Sequence, residues 1–285
     1  RTYPDQLAQV RALAPQAWIL LPGVGAQCGD LDSALAAGLR EDRLGVVVNS
    51  SRGIIYAGDP RQAAQDLREQ IQQARSRPPS APFDPRAALT LALADIGAIK
   101  FGEFTLASGK KSPIYVDLRL LASYPDTLRQ VALAYAEVLR TSVGVGESPV
   151  RLAAIPYAAL PIGTAVAMEL GLSLVYPRKE VKAYGTARQI EGEFHAGERA
   201  VVLDDLITTG GSKLAAIEPL EAASLEVRDV VVLIDREEGG RSDLAQAGYQ
   251  LHAVLRLSEM LDILLEAGRI SAERRDQVAS FLWGR

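Results

Sequence analysis

Cysteine occurs once in the 285 residues, at Cys28, and histidine twice, at His195 and His252. A single thiol cannot close an internal disulfide, and this ligand set offers no Cys/His cluster for zinc. Positive charge is not in excess either. The formal net charge of −4 argues against a general nucleic-acid or anionic-membrane binder, so an anionic ligand must be met by local positive charge. No apolar run is long enough to span a bilayer and no signal-peptide pattern is present, so the expected location is the cytoplasm. Internal repeats and low-complexity tracts are absent. What remains is a chain of 48% hydrophobic residues, ample for the core of one large or two ordinary domains.

The most informative stretch is Val201-Val202-Leu203-Asp204-Asp205-Leu206-Ile207-Thr208-Thr209-Gly210-Gly211-Ser212, followed by an apolar-periodic segment from Leu214. The order is that of a buried parallel strand, an acidic strand end, a phosphate-cradling loop and a helix start. Gly210 and Gly211 let backbone approach an anion, while Thr208, Thr209 and Ser212 add hydroxyls beside the unpaired N–H groups of the helix start. Phosphate would repel Asp204 and Asp205. They are expected to face hydroxyls or a metal-bound water, both of which a ribose 5-phosphate carrying Mg²⁺ supplies. The competing reading is an ordinary strand-to-helix turn with a serine cap.

The rest of the chain divides at Ser76–Pro85, where four prolines in ten residues oppose a continuing helix and favour an extended spacer. The expected organisation is residues 1–77, a linker over 78–85 and a second domain over 86–285. In the first segment, helical patterns at Leu7–Ala14, Leu31–Leu39 and Gln62–Ala74 alternate with strands at Trp18–Leu21 and Gly45–Asn49. In the second, a helix over Ala87–Ile96 precedes two short strands joined by a basic glycine turn at Ser108–Ser112. Then come a helix over Leu128–Leu139 and an alternation of strands and helices with Val230–Ile234 and Leu251–Leu255 as further strands. Such alternation indicates a parallel sheet covered on both faces.

In the first segment a glycine loop, Pro22–Asp30, follows one strand and an arginine-bearing loop, Ser50–Ile54, follows the next. Gly23-Val24-Gly25 is a weak dinucleotide fingerprint, since Cys28 holds the third glycine position. Both loops resemble the C-terminal part of orotidine 5′-phosphate decarboxylase, whose PGxGAQGGD and SSRGI motifs they follow, Cys28 replacing a family glycine. The resemblance implies a partial (β/α)₈ barrel with Gln27 and Arg52 as phosphate contacts. A whole barrel needs about 250 residues, and the family's Asp-x-Lys-x-x-Asp catalytic motif occurs nowhere in the 285 residues. The segment is therefore expected to be a fusion fragment, its upstream part outside this sequence, unable to decarboxylate alone.

From Leu89 to Trp283 the chain resembles orotate phosphoribosyltransferase, carrying FGEFTLASGKKSPIYVDLR, IPYAALP, RKEVKAYG, VVLDDLITTGGS and LIDREEGG in family order. The two segments together resemble a bifunctional uridine monophosphate synthase. The implied fold is the type I phosphoribosyltransferase fold, an α/β parallel sheet with helices on both faces and a small hood. The implied reaction joins orotate to phosphoribosyl pyrophosphate through an oxocarbenium-like transition state, with Mg²⁺ held mainly by the substrate.

Roles follow residue by residue. Asp204, Asp205, Leu206, Ile207, Thr208, Thr209, Gly210, Gly211 and Ser212 hold the phosphoribosyl group. Arg178, Lys179 and Lys182, with Arg188 nearby, open a charged loop that reads either as a solvated run or as a lid over pyrophosphate. Family likeness favours the lid, with Lys182 catalytic beside Asp204 and Asp205, and implies a homodimer in which the loop reaches the neighbouring subunit. Arg236, at a strand's carboxyl end, offers a fork for the orotate carboxylate, and Thr208 is expected to add an orotate contact. Two positions depart from the pattern: Tyr184 stands where many bacterial relatives carry histidine, and Ala107 where some carry lysine, leaving Lys110 and Lys111 as nearby cations.

Two further classes remain. A regulator that senses phosphoribosyl pyrophosphate would need a basic DNA-binding module, yet residues 1–85 hold nine arginines against nine acids and no lysine. A purine phosphoribosyltransferase would have no need of Arg236.

Overall fold

The computed structural model describes residues 4–22, 31–76, 84–105, 111–145, 150–178 and 189–284. Its contacts divide the chain into two compact units, Arg1–Pro85 and Arg86–Arg285.

Within the first unit the order is α1 (Pro4–Leu13), β1 (Ile19–Pro22), α2 (Leu31–Gly38), β2 (Val46–Asn49), α3 (Ser51–Ile55) and α4 (Pro60–Ser76). Strands β1 and β2 pair in parallel from Ile19 opposite Val46 to Pro22 opposite Asn49. A small core forms where Leu7, Leu21, Ala34, Leu35 and Ala74 meet. Trp18, Leu20 and Val47 stay exposed, as expected of a two-stranded sheet with little to cover its second face.

The second unit begins with α5 (Pro85–Asp95) and a hairpin of β3 (Ile99–Thr105) and β4 (Lys111–Val116), then α6 (Pro125–Val138). There follow β5 (Val150–Ala154), α7 (Ala159–Leu170), β6 (Leu174–Pro177), β7 (Ile190–Glu191), β8 (Arg199–Ile207), α8 (Gly211–Ala222), β9 (Glu226–Asp235), α9 (Gly240–Gln246), β10 (Gln250–Arg256), α10 (Leu257–Glu266) and α11 (Ala272–Trp283). Six strands form one sheet in the order β10-β9-β8-β5-β6-β7. Five are parallel, as the apolar runs predict. The edge departs from that expectation: β7 runs antiparallel to β6, because β7 returns the chain beside the strand that it has just left, as a hairpin partner must.

The central strands are apolar on both sides because both sides are covered. Val201, Leu203, Val231 and Leu233 pack with Leu93, Ile114, Tyr135, Ile162 and the residues of α10 and α11. Ala200, Val202, Val230 and Val232 pack with Ile217 and Leu220 of α8 and Leu244 of α9. Strand β5 leads through α7 to β6 on one side, whereas β8 lies on its other side, so the direction of winding reverses between β5 and β8. Ligands of open α/β sheets bind at the carboxyl ends of the strands at such a reversal. Among the described residues no helix is long and apolar enough to cross a membrane.

Candidate functional site

At that reversal the chain leaves β5 into Ile155–Ala158 and leaves β8 into Thr208–Gly210. Strand pairing with β5 ends at Leu203, whereas pairing with β9 continues to Ile207 opposite Asp235. The carboxyl end of β8 therefore projects beyond β5 and lies beside the end of β9. This alignment brings Arg236 against the loop: its backbone N–H donates to the Ile207 carbonyl at 3.0 Å, and Gly240 N–H donates to the Thr208 carbonyl at 2.9 Å.

Close packing fixes the loop. A Cβ on Gly240 would come within 2.5 Å of Ile207 Cγ1 and 2.9 Å of the Thr208 carbonyl, and one on Gly210 within 2.6 Å of Asp243 Cβ. Only glycine permits these approaches. Gly210 N–H donates to Asp243 Oδ2 at 2.9 Å, so α9 holds the loop from behind. Thr209, Gly211 and Ser212 are exposed, Thr208 is half-buried, and Ile207 is fully buried against α8. Leu206 lends its N–H to Asp205 Oδ1 at 2.8 Å and its carbonyl to Lys213. Leu206 thus has both backbone groups engaged within the protein, and Ile207 its carbonyl.

The adjacent acids are not equivalent. Successive side chains of a strand point to opposite faces, and Asp204, only 6% exposed, forms an ion pair with Lys213 Nζ at 2.6 Å on the α8 side. Asp205 is half-buried and has no such partner at contact distance among the described ion pairs. Burial first, and the charge of Asp204 second, push its carboxyl up to about 6. The Tyr135 hydroxyl donates to the Asp204 carbonyl at 2.6 Å, tying α6 to the same strand end. Burial and these acids raise the phenol well above its ordinary range.

Arg236 is 8% exposed. Its Nε lies 2.7 Å from Glu238 Oε1, at an angle that leaves neither atom an aligned hydrogen bond. Its carbonyl accepts from Trp283 Nε1 at 3.2 Å, while Asp235 Oδ1 accepts the Glu237 N–H at 2.8 Å and Glu237 Oε2 that of Ser258 at 2.9 Å. The turn that presents the guanidinium is thus held by α10 and α11 as well as by β9.

The remaining expected residues are less connected. Arg178 stands at the end of β6, half-buried, and pairs with Glu191 of β7. Lys179 and Lys182, with Tyr184 and Arg188, lie outside the described residues, as do Ala107, Lys110, Gln27 and Cys28. Arg52 is exposed on α3 of the first unit. Among the described residues no group of three or more His, Cys, Asp or Glu side chains could hold a metal ion.

Sequence reasoning overlooked Lys213, Asp243, Tyr135, Glu238 and Trp283. Lys213 alone carried a local signal: a cation in the first turn of a helix opposes the helix dipole and so needs another reason to be there. Asp243, Tyr135 and Trp283 act across long sequence separations, and Glu238 pairs with Arg236 two residues away.

Comparison with known proteins bears on the same region. Residues 121–247 match the family model described as "Phosphoribosyl transferase domain". The chain is 42% identical to an orotate phosphoribosyltransferase of Natronomonas pharaonis, over 60% of this chain and 94% of that protein. It is 36% identical to the "Bifunctional enzyme PyrF/PyrE" of Nostoc sp., over 96% of this chain and 59% of that enzyme. The structure of Leishmania donovani UMP synthase superposes with a TM-score of 0.63 at 44% identity, over 99% of this chain and 60% of that one. This chain thus spans about three-fifths of those two longer proteins.

Proposed function

The chain belongs to the orotate phosphoribosyltransferase family, and on that premise we propose that it transfers the phosphoribosyl group of phosphoribosyl pyrophosphate to orotate. The C1–O bond to the diphosphate breaks, its electron pair leaving with pyrophosphate. A bond from orotate N1 to C1 forms as the N1 proton is released, giving orotidine 5′-phosphate for pyrimidine synthesis.

The observation that carries this reading is the contact of the Arg236 backbone with the end of β8, its backbone N–H on the Ile207 carbonyl at 3.0 Å. The residue that bears a fork suited to a planar carboxylate is thereby next to a loop suited to a sugar phosphate. Thr208, Thr209, Gly210, Gly211 and Ser212 take the 5-phosphate, and Thr208 also meets orotate. Asp205 accepts from the ribose hydroxyls, and the negative charge of both acids favours the positive charge developing at C1. Arg178, Lys179 and Lys182 meet the leaving diphosphate. Lys182 reaches in from a second copy, so the working unit is a homodimer.

The donor set fits a magnesium ion that arrives on the substrate better than a resident one: one carboxylate, Asp205, is half-buried, while Asp204 is engaged by Lys213. When bound, magnesium screens the charge of the diphosphate.

The first unit corresponds, in this reading, to part of a decarboxylase domain in a longer bifunctional protein. Support comes from its parallel β1–β2 pair and from the relatives that match nearly the whole chain. The absent Asp-x-Lys-x-x-Asp motif argues that these residues alone do not decarboxylate.

Mixing the protein with orotate, phosphoribosyl pyrophosphate and Mg²⁺ should deplete the orotate absorbance. Persistent absorbance with phosphoribosyl pyrophosphate still bound would point instead to a sensor. Orotidine 5′-phosphate supplied separately should remain unchanged, and its conversion to uridine 5′-phosphate would overturn the claim for the first unit.

A further inference from the structure

We propose that Lys213 is a positioning residue for the sugar-phosphate loop, locking the end of β8 to the first turn of α8 so that Thr208–Ser212 form one fixed cradle. The inference rests on the proposed role of that loop and adds the residue that shapes it.

Lys213 is the third residue of α8 and only 5% exposed. A buried ammonium in the first turn of a helix is opposed twice, by desolvation and by the helix dipole. Its surroundings offset both. Nζ lies 2.6 Å from Asp204 Oδ2, donates to the Leu206 carbonyl at 2.6 Å and reaches Ser212 Oγ at 3.3 Å. One cation therefore touches the strand before the loop, the strand's last turn outward, and the helix after it.

The strand end needs such a tie. Pairing with β5 stops at Leu203, leaving the residues beyond it without that neighbour. From the other side, Gly210 N–H is held by Asp243 and the Ile207 and Thr208 carbonyls by the turn after β9. Lys213 is the fastening on the α8 side. It is too deeply buried to meet a ligand itself, so it acts through the backbone that it holds.

A residue that shapes the loop should affect phosphoribosyl pyrophosphate, which meets the whole loop, more than orotate, which meets Thr208 alone. Lys213→Met keeps the stem and removes the ammonium; Lys213→Arg keeps the charge beside Asp204 but cannot repeat the same three contacts. For Lys213→Met, KM for phosphoribosyl pyrophosphate should rise on the order of ten- to a hundredfold, as small misplacements of binding groups do, with a clearly smaller rise in KM for orotate. Lys213→Arg should show a smaller rise of the same selectivity. It carries the test alone if Lys213→Met does not fold.

The thermal midpoint gives a second readout. Phosphoribosyl pyrophosphate with Mg²⁺ should raise it in the wild type and much less in either variant. Equal stabilisation, unchanged KM values, or a loss shared equally by both substrates would overturn the inference. A wild type that neither binds phosphoribosyl pyrophosphate nor consumes orotate would instead overturn the proposed function.

Discussion

Asp205→Asn should stabilise the unliganded protein above about pH 6 while weakening its hold on phosphoribosyl pyrophosphate. The carboxyl of Asp205 titrates near 6 instead of its ordinary 3.8, because burial and the neighbouring Asp204 disfavour its charge. Between those two values the folded chain binds more protons than the unfolded one, so the group's contribution to stability falls as pH rises. It is fully present below the unfolded value and lost once pH passes the folded one. A shift of about two units corresponds to roughly 3 kcal/mol of strain carried by the ionised folded protein.

Asparagine removes that charge at every pH. Its Oδ1 can still accept the Leu206 N–H that Asp205 accepts at 2.8 Å, so the turn geometry is kept. For a unit of this size, about 3 kcal/mol corresponds to a rise in thermal midpoint of up to about 10 °C. Differential scanning calorimetry at about pH 8 and about pH 4 reads the effect. The rise should be present in the first case and nearly absent in the second, where both side chains are neutral. In the wild type, kcat/KM for phosphoribosyl pyrophosphate should fall as pH drops through 6, since a protonated carboxyl is a poorer acceptor for ribose hydroxyls. Equal midpoints for variant and wild type at both pH values would refute the reasoning.

Three other outcomes are expected. Arg236→Gln should raise KM for orotate about ten- to a hundredfold, the worth of a charge-assisted hydrogen bond, with little change for phosphoribosyl pyrophosphate in initial-rate assays. Gly240→Ala forces a Cβ to within 2.5 Å of Ile207 Cγ1, so urea denaturation should show a loss of about 1–3 kcal/mol together with weaker phosphoribosyl pyrophosphate binding. Lys182→Ala should keep the fold by circular dichroism and lose about 3–4 kcal/mol of transition-state stabilisation in kcat; mixed with the weakened Asp205→Asn, it should give more activity than the two variants summed if subunits share sites.

The parts of this fold that were legible in the sequence are those with a local cause. Val201–Leu203 and Val230–Ile234 are apolar on every residue, and strands buried on both faces must be so. The glycines after β8 announce a break for reasons that lie in the residues themselves. Helix α6 was anticipated over Leu128–Leu139 and spans Pro125–Val138; Pro125 at its first position is the start signal that apolar spacing alone passes over. The short antiparallel return of β7 carried no pattern, since two residues cannot establish a period.

The division of labour between the two acids was obscured for a different reason. Read along the chain, Asp204 and Asp205 are a pair with one task. In the sheet they leave β8 on opposite sides, and each takes its character from what covers that side: Lys213 on α8 for Asp204, burial without a cation in contact for Asp205. Strand alternation predicts the separation, but only the packed helices decide which carboxylate is held and which is strained. Strain at a half-buried carboxylate beside a phosphate loop is what a ligand with hydroxyls can relieve. In the proposed reaction, binding energy is then spent on stabilising an ionised Asp205, next to the carbon where positive charge would develop.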